Sequence, residues 1–401
     1  MRFVHLEDFF HPDAGYQLNL LARLQVKDGH EVFIIASEMS NVPDYLKSFF
    51  GDHDIENKDE IYFKNTGVRV IRCPSFFWLS GRAFLKKNIY TLIESIKTDV
   101  LFLHGESTLT SIRLLLKYNK INLPYVIDSH MLEMASKNKF KQLFRIFYRV
   151  FITPIILKNN IPLIRVVDSD FVEKHFKIPI NKTTLLSFGT DTNFFKPNKS
   201  LKESFREQMG FSNKDFIVLY AGKLNEDKGG LFLANALKSK FNSNNIKFII
   251  VGNIIKDSYG KEVEESFSNS ENKIFRYPTQ TYSELARFYQ ISDIAIYPKQ
   301  CSMSYFEAQS CGLPVVLEKN EINIERVSNQ KGMLFKSGSI SQFRDAITEF
   351  TNMSESDIMI YKKNSRENIL ENFNYANVAK SFSDVMIKAF NNFKKQHRNF
   401  N

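Results

Sequence analysis

Three cysteines in 401 residues, Cys73, Cys301 and Cys311, are too few and too irregularly spaced for a disulfide framework or a zinc site, and they read as free thiols of a reducing compartment. No run of about 18 uncharged apolar residues occurs. The opening MRFVHLEDFF carries acids where a secretion signal needs a long apolar stretch, so the expected protein is cytoplasmic, either soluble or peripheral on the inner face of a membrane. After the first strand, FFHPDAGYQ holds one glycine, Gly15, where a dinucleotide fingerprint needs three, which excludes a hydride-transferring dehydrogenase of that type. A Walker pattern, zinc-finger spacing, an arginine-rich arm, low-complexity tracts and a short internal repeat are also missing. Nucleic acid is therefore the least favoured partner.

What the chain does have is charge and alternation. A net charge of +10 favours an anionic partner, and 43% apolar residues suffice for two cores, the natural expectation at this length. Short apolar strands alternate with helices: RFVHL, a helix over about 16–27, EVFIIAS, VRVIRCP, a helix near 83–97, DVLFLH, a helix near 107–119 and YVIDSH. The second set runs FIVLYAG, a helix after Gly230, IKFIIVGN, KIFRYP, the helix YSELARFYQIS, IAIYP, a short helix, PVVLE and MLFK. This pattern predicts an α/β protein of two doubly wound parallel sheets, with a ligand beyond the carboxyl ends of their strands. The stretch from 187 to 210 reads as a linker. The expected domains are 1–190, 191–375 and a C-terminal helix, 376–401, packing back on the first domain.

Several stretches admit both a structural and a functional reading. Ser304 and Glu307 have the spacing of a capping box at the start of a short helix. Lys223 and Lys228 in YAGKLNEDKGG lie in a loop entering a helix, either as solvated lysines or as partners for a diphosphate. His130 ends a strand. Asp168 and Asp170 in VVDSD are read as a helix N-cap ahead of FVEKHF rather than a metal pair. In KNKFKQLFRIFYRVFITPIILK, Lys137, Lys141, Arg145 and Arg149 recur every fourth residue, forming a basic stripe that would face either solvent or an anionic membrane.

In this order the pieces resemble the retaining glycosyltransferases of family 4, which have the GT-B fold of two Rossmann-like domains. The resemblance rests on HPDAGYQLNLLARLQVKDGHEVFIIAS, YVIDSH, LLSFGTDTNFFKP, LYAGKLNEDKG and YFEAQSCGLPVV, and so spans nearly the whole chain. It implies a hexosyltransferase-like enzyme of cell-surface polysaccharide or glycoconjugate synthesis. Such an enzyme moves a sugar from a UDP- or GDP-sugar to a glycan or lipid-linked acceptor, with no metal and no cofactor. By the same resemblance Glu307 holds the ribose hydroxyls, Lys223 and Lys228 stabilise the leaving diphosphate, and His130 stands beside the transferred sugar. Gly15 lets a phosphate approach, and Tyr277 lies where backbone groups contact the base. Lys299 occupies the place of the family's first glutamate, and QCSMS replaces its glycine-rich stretch, so Lys299, Gln300, Ser302, Met303 and Ser304 would line an altered sugar pocket. The alternatives are an epimerase or hydrolase of the same fold, or an inactive sugar-nucleotide-binding partner.

Overall fold

The computed structural model describes residues 1–47, 51, 53–131, 140–242, 245–299 and 304–398. The chain divides into two compact units, Met1–Phe188 with Ala376–Asn401, and Gly189–Tyr375. The first unit is built on β1 (Arg2–Leu6), β2 (Glu31–Ser37), β3 (Arg69–Cys73), β4 (Ser75–Leu79), β5 (Arg82–Leu85), β6 (Val100–Leu103), β7 (Tyr125–Ser129), β8 (Leu163–Arg165) and β9 (Thr183–Leu185). Seven of these form one sheet in the order β3-β2-β1-β6-β7-β8-β9, and every neighbouring pair is parallel. The second unit carries β10 (Phe216–Ala221), β11 (Ile246–Val251), β12 (Ile274–Tyr277), β13 (Ile294–Tyr297), β14 (Val315–Glu318) and β15 (Gly332–Phe335). These run parallel in the order β12-β11-β10-β13-β14-β15. The central strands VLFL and IAIY are buried at every position, because helices cover both faces of a parallel sheet. In each unit the strand order reverses beside the first strand, at β1/β6 and β10/β13, and a crevice opens at such a point.

Three expectations about elements change. The helix expected near 83–97 begins later, at Asn88, because β4 and β5 pair as an antiparallel hairpin. Ser80 and Gly81, with φ of 50° and 74°, supply the two left-handed residues that its tight turn requires. The segment read as a linker folds as the helix Lys199–Gln208, capped by Asn198 Oδ1, which accepts from Leu201 N. Buried Arg206 anchors this helix by donating to Asp293 Oδ2 at 2.7 Å. Before Phe171–Phe176, the Ser169 hydroxyl accepts from Phe171 N; Asp168 pairs with Arg165 instead, and Asp170 makes no side-chain cap.

The basic stripe is overturned as well. Lys137 lies outside the described residues, and the helix runs Lys141–Phe147, through a π-helical turn at Tyr148–Ile152, into Thr153–Lys158. The wider π-helical turn keeps a four-residue spacing on one face, so Arg145 and Arg149 run beside the inward-facing Phe144, Tyr148, Ile152 and Ile156 and do not form a solvent-facing stripe. Arg145 is buried with its guanidinium over the Phe171 ring, and Arg149 Nε donates to the carbonyl of His175. Leu143, Ile146, Val150 and Phe151 are each more than half exposed. Among the described residues no helix is long and apolar enough to cross a membrane.

Candidate active site

In the first unit, polar residues gather where β1, β6 and β7 end. His130, directly after β7, is partly exposed, and its Nε2 lies 3.2 Å from Oδ2 of Asp128, which is fully buried. The same oxygen meets His104 Nδ1 at 3.0 Å, while Asp128 Oδ1 accepts from Gly105 N. Behind His104 the chain of contacts continues through His5 Nδ1 at 2.9 Å, and from His5 Nε2 to Gln25 Oε1 at 2.7 Å. Gln25 in turn donates to Met386 Sδ on the C-terminal helix. Burial, helped by His104, pushes His5 down to about 3, so its ring is neutral. With Gln25 accepting, His5 donates from Nε2 and accepts at Nδ1, and His104 Nε2 therefore carries a hydrogen.

Burial would also favour the neutral form of His130, but the Asp128 carboxylate outweighs it and holds its pKa above the ordinary value. Asp128 is pulled well below the carboxylate range by His130 and His104 despite its burial. Two neighbouring acids go the other way. Burial raises Glu106 to about 7 and Asp8 to about 8, and Glu106 Oε1 and Asp8 Oδ2 have no hydrogen-bond partner. Gly15 lies two residues ahead of the helix Gln17–Lys27, beyond the end of β1.

In the second unit, β10 and β13 are hydrogen-bonded neighbours, so the loops after them share one edge. The loop after β10 carries Lys223 and Lys228; Tyr220 Oη donates to the Lys223 carbonyl, and Asn225 Oδ1 accepts from Lys228 N. Burial, then repulsion from Lys228, lowers Lys223 to about 8. Lys299, which follows β13, turns to this loop: its stem packs against Gly229 and its Nζ donates to the Glu226 carbonyl at 3.1 Å. Glu307, in the helix Ser304–Ser310, is buried and does not reach back to Ser304. Its Oε2 accepts from Tyr289 Oη at 3.0 Å, and burial raises its pKa to about 7. Tyr297 Oη donates to the Ser304 carbonyl. Tyr277 ends β12 with its ring against Phe288 and its carbonyl accepting from Gly252 N. Gln300, Ser302 and Met303 lie outside the described residues.

The structure thus brings Lys223, Lys228, Lys299, Ser304 and Glu307 to two adjoining strand ends, with Tyr277 two strands away on the same edge. Sequence reasoning missed Asp128, His104 and Glu106, although LFLHGES repeats the strand-then-histidine signal of YVIDSH. It also missed Gly252, whose φ is 152° and where a Cβ would come within 1.8 Å of the Gly222 carbonyl oxygen, so only glycine lets β10 and β11 end side by side. A cavity of about 390 Å³ opens at the other edge of the first sheet, beside Pro124, Pro162 and Phe393, and belongs to neither group.

The fold has counterparts among known proteins. The chain is 25% identical over 167 residues to the lipopolysaccharide 1,2-N-acetylglucosaminetransferase of Salmonella typhimurium, a match covering 38% of this chain and 43% of that relative's length. It is 22% identical over 316 residues to the UDP-Gal:alpha-D-GlcNAc-diphosphoundecaprenol alpha-1,3-galactosyltransferase of Escherichia coli, covering 75% of this chain and 78% of the relative. The Anabaena HepE structure in complex with UDP-glucose superimposes with a TM-score of 0.71 at 16% identity, over 97% of this chain and all of that one. The two units have the Rossmann-like architecture of the GT-B fold. Residues 202–368, which include Lys223, Lys228, Lys299 and Glu307, match the family model described as glycosyl transferases group 1.

Proposed function

We propose that this chain is a retaining glycosyltransferase that moves a sugar from a nucleotide-diphosphate donor to a glycan or lipid-linked glycan acceptor. The observation that carries the reading is the pairing of a lysine loop with a buried, raised carboxyl group on adjoining strands at the reversal of the second sheet, inside the matched domain. Lys223 and Lys228 would neutralise the departing diphosphate, whose charge grows as the glycosidic bond breaks. Contact with a diphosphate would also offset the mutual repulsion of the two ammonium groups. Glu307, ionised above about 7, would accept from the ribose hydroxyls. In the first unit His130, whose protonated form the Asp128 carboxylate favours, would donate to a sugar hydroxyl. The two curated relatives, named as N-acetylglucosaminyl- and galactosyltransferases, support a hexose donor without selecting one.

The test is incubation with a panel of UDP- and GDP-sugars, with and without a glycan-diphosphate lipid acceptor, reading free nucleoside diphosphate and product anomer. Acceptor-dependent release with the donor's anomeric configuration kept is the expected result. Release without acceptor marks a hydrolase, an isomerised donor marks an epimerase, and binding without turnover marks an inactive partner. Lys223→Ala and Lys228→Ala should each lower turnover by about 2 to 4 kcal/mol of transition-state stabilisation.

A further inference from the structure

The outward face of the helix over 141–158 breaks the usual rule for a surface helix, in which apolar residues turn inward and polar ones face water. Here Phe144, Tyr148, Ile152 and Ile156 already meet the core, yet Leu143, Ile146 and Val150, three and four residues apart, project outward together with Phe151 and Leu157. A second exposed apolar group, Phe76, Phe77 and Leu79, sits on the β4–β5 hairpin. The helix Leu109–Leu116 packs against both β5 and the 141–158 helix. Exposed apolar area of this extent marks a binding surface.

Charge selects the occupant. Residues 134–167 contain seven lysines and arginines and no acid, and residues 61–93 contain six and no acid; Arg145 is buried, and Arg165 and Arg72 pair with Asp168 and Asp59, so exposed lysines supply the charge around the apolar groups. Lys158, Lys86 and Lys87 are exposed beside them. An apolar ridge with cations at its margins suits the headgroup boundary of an anionic bilayer, where side chains enter the acyl region and lysines stay with the phosphates. We infer that the first unit docks on an anionic lipid surface by inserting the ridge Leu143–Ile146–Val150–Phe151–Leu157. The contact is apolar insertion flanked by charge, in place of the basic stripe expected from sequence, and it stands independently of the transferase reading.

The experiment is co-sedimentation of the full chain with phosphatidylglycerol-containing vesicles and with neutral phosphatidylcholine vesicles, at low salt and at about 1 M salt, where the screening length is about 3 Å. The wild type should bind the anionic vesicles at low salt and keep a measurable fraction bound at high salt. Leu143→Ser/Val150→Ser should lower the partition coefficient at least about tenfold at both salt concentrations, with an unchanged thermal midpoint and unchanged turnover of a water-soluble acceptor. Ile146→Trp should raise partitioning, which keeps the idea testable should the double variant fold poorly. Wild-type protein that stays in the supernatant overturns the inference, as does a double variant that binds as well as the wild type. Sedimentation showing a dimer that the double variant dissociates, without vesicle binding, would assign the face to a second copy and equally overturn it.

Discussion

Each unit buries a carboxylate, and the company differs. Asp128 of the first unit stands between His104 and His130, at 3.0 and 3.2 Å. Asp293 of the second meets Arg206 Nη2 at 2.7 Å, Lys202 Nζ at 2.9 Å and Lys362 Nζ at 3.3 Å, and also accepts from Ile217 N. Burial alone would raise both acids, yet their partners hold both well below the carboxylate range. Guanidinium and ammonium partners keep their charge across physiological pH, whereas imidazole does not. The second unit's cluster is thus a fixed clasp between the helix Lys199–Gln208 and the sheet. The first unit's cluster is a titrating array, bordered by Glu106 and Asp8, which burial has raised into the same pH range.

The largest expected effect comes from breaking the fixed clasp. Asp293→Asn leaves three cations around an uncharged amide and should destabilise the second unit by about 3 to 5 kcal/mol, read as a lower midpoint in denaturant unfolding. A loss below about 1 kcal/mol would show that the cluster is incidental.

Next in size is a change whose sign depends on pH. Glu106 faces His130, Asp128 and Arg82, and its pKa rises from the ordinary 4.5 to about 7, so the folded chain holds a proton that the unfolded chain releases. Stability is therefore lost as pH climbs from about 4.5 to 7. Glu106→Gln should remove that loss, stabilising the first unit by about 2 to 3 kcal/mol at pH 8 and changing little at pH 4.5. Equal effects at both values would refute the array.

Gln25→Leu leaves the His5 Nε2 hydrogen buried without a partner and should cost about 1 to 3 kcal/mol in the same unit. The smallest effect is expected at Lys299→Met, where an exposed ammonium loses one carbonyl; stability should move by less than about 1 kcal/mol.

The sequence carried the sheets well because their strands, such as FIVLYA and IKFIIV, are apolar runs that only a sheet covered on both faces explains. It failed where a local pattern was weak and a distant partner decided the outcome. The helix Lys199–Gln208 has a polar, lysine-rich sequence and exists through Arg206 and Asp293, 87 residues apart. Glu307 shows the same limit in the site itself: its capping-box spacing with Ser304 is local, but Tyr289, 18 residues earlier, is what holds the carboxyl group. Lys299 was legible as a departure from the resembling family, while its attachment to Glu226 was not, because the two lie 73 positions apart and nothing between them signals that approach. The 141–158 helix was legible as a helix, and the burial of Arg145 over Phe171 was not, because that partner comes from a later helix.

The second unit is an insertion. Its two ends lie together, Thr190 N donating to the Phe373 carbonyl at 3.0 Å and Tyr375 N to the Thr190 carbonyl at 2.9 Å, and the chain then returns to the first unit as its last helix. During synthesis the first unit's strands therefore emerge early and wait. At about 5 to 20 residues per second, the second unit takes roughly 10 to 40 s to make before Phe382 and Met386, both fully buried, can arrive against Phe102 and Gln25. Until then the end of the His5–Gln25 chain stands open, so the first unit is completed only after the second has been made, and its polar array closes when the helix carrying Phe382 and Met386 arrives.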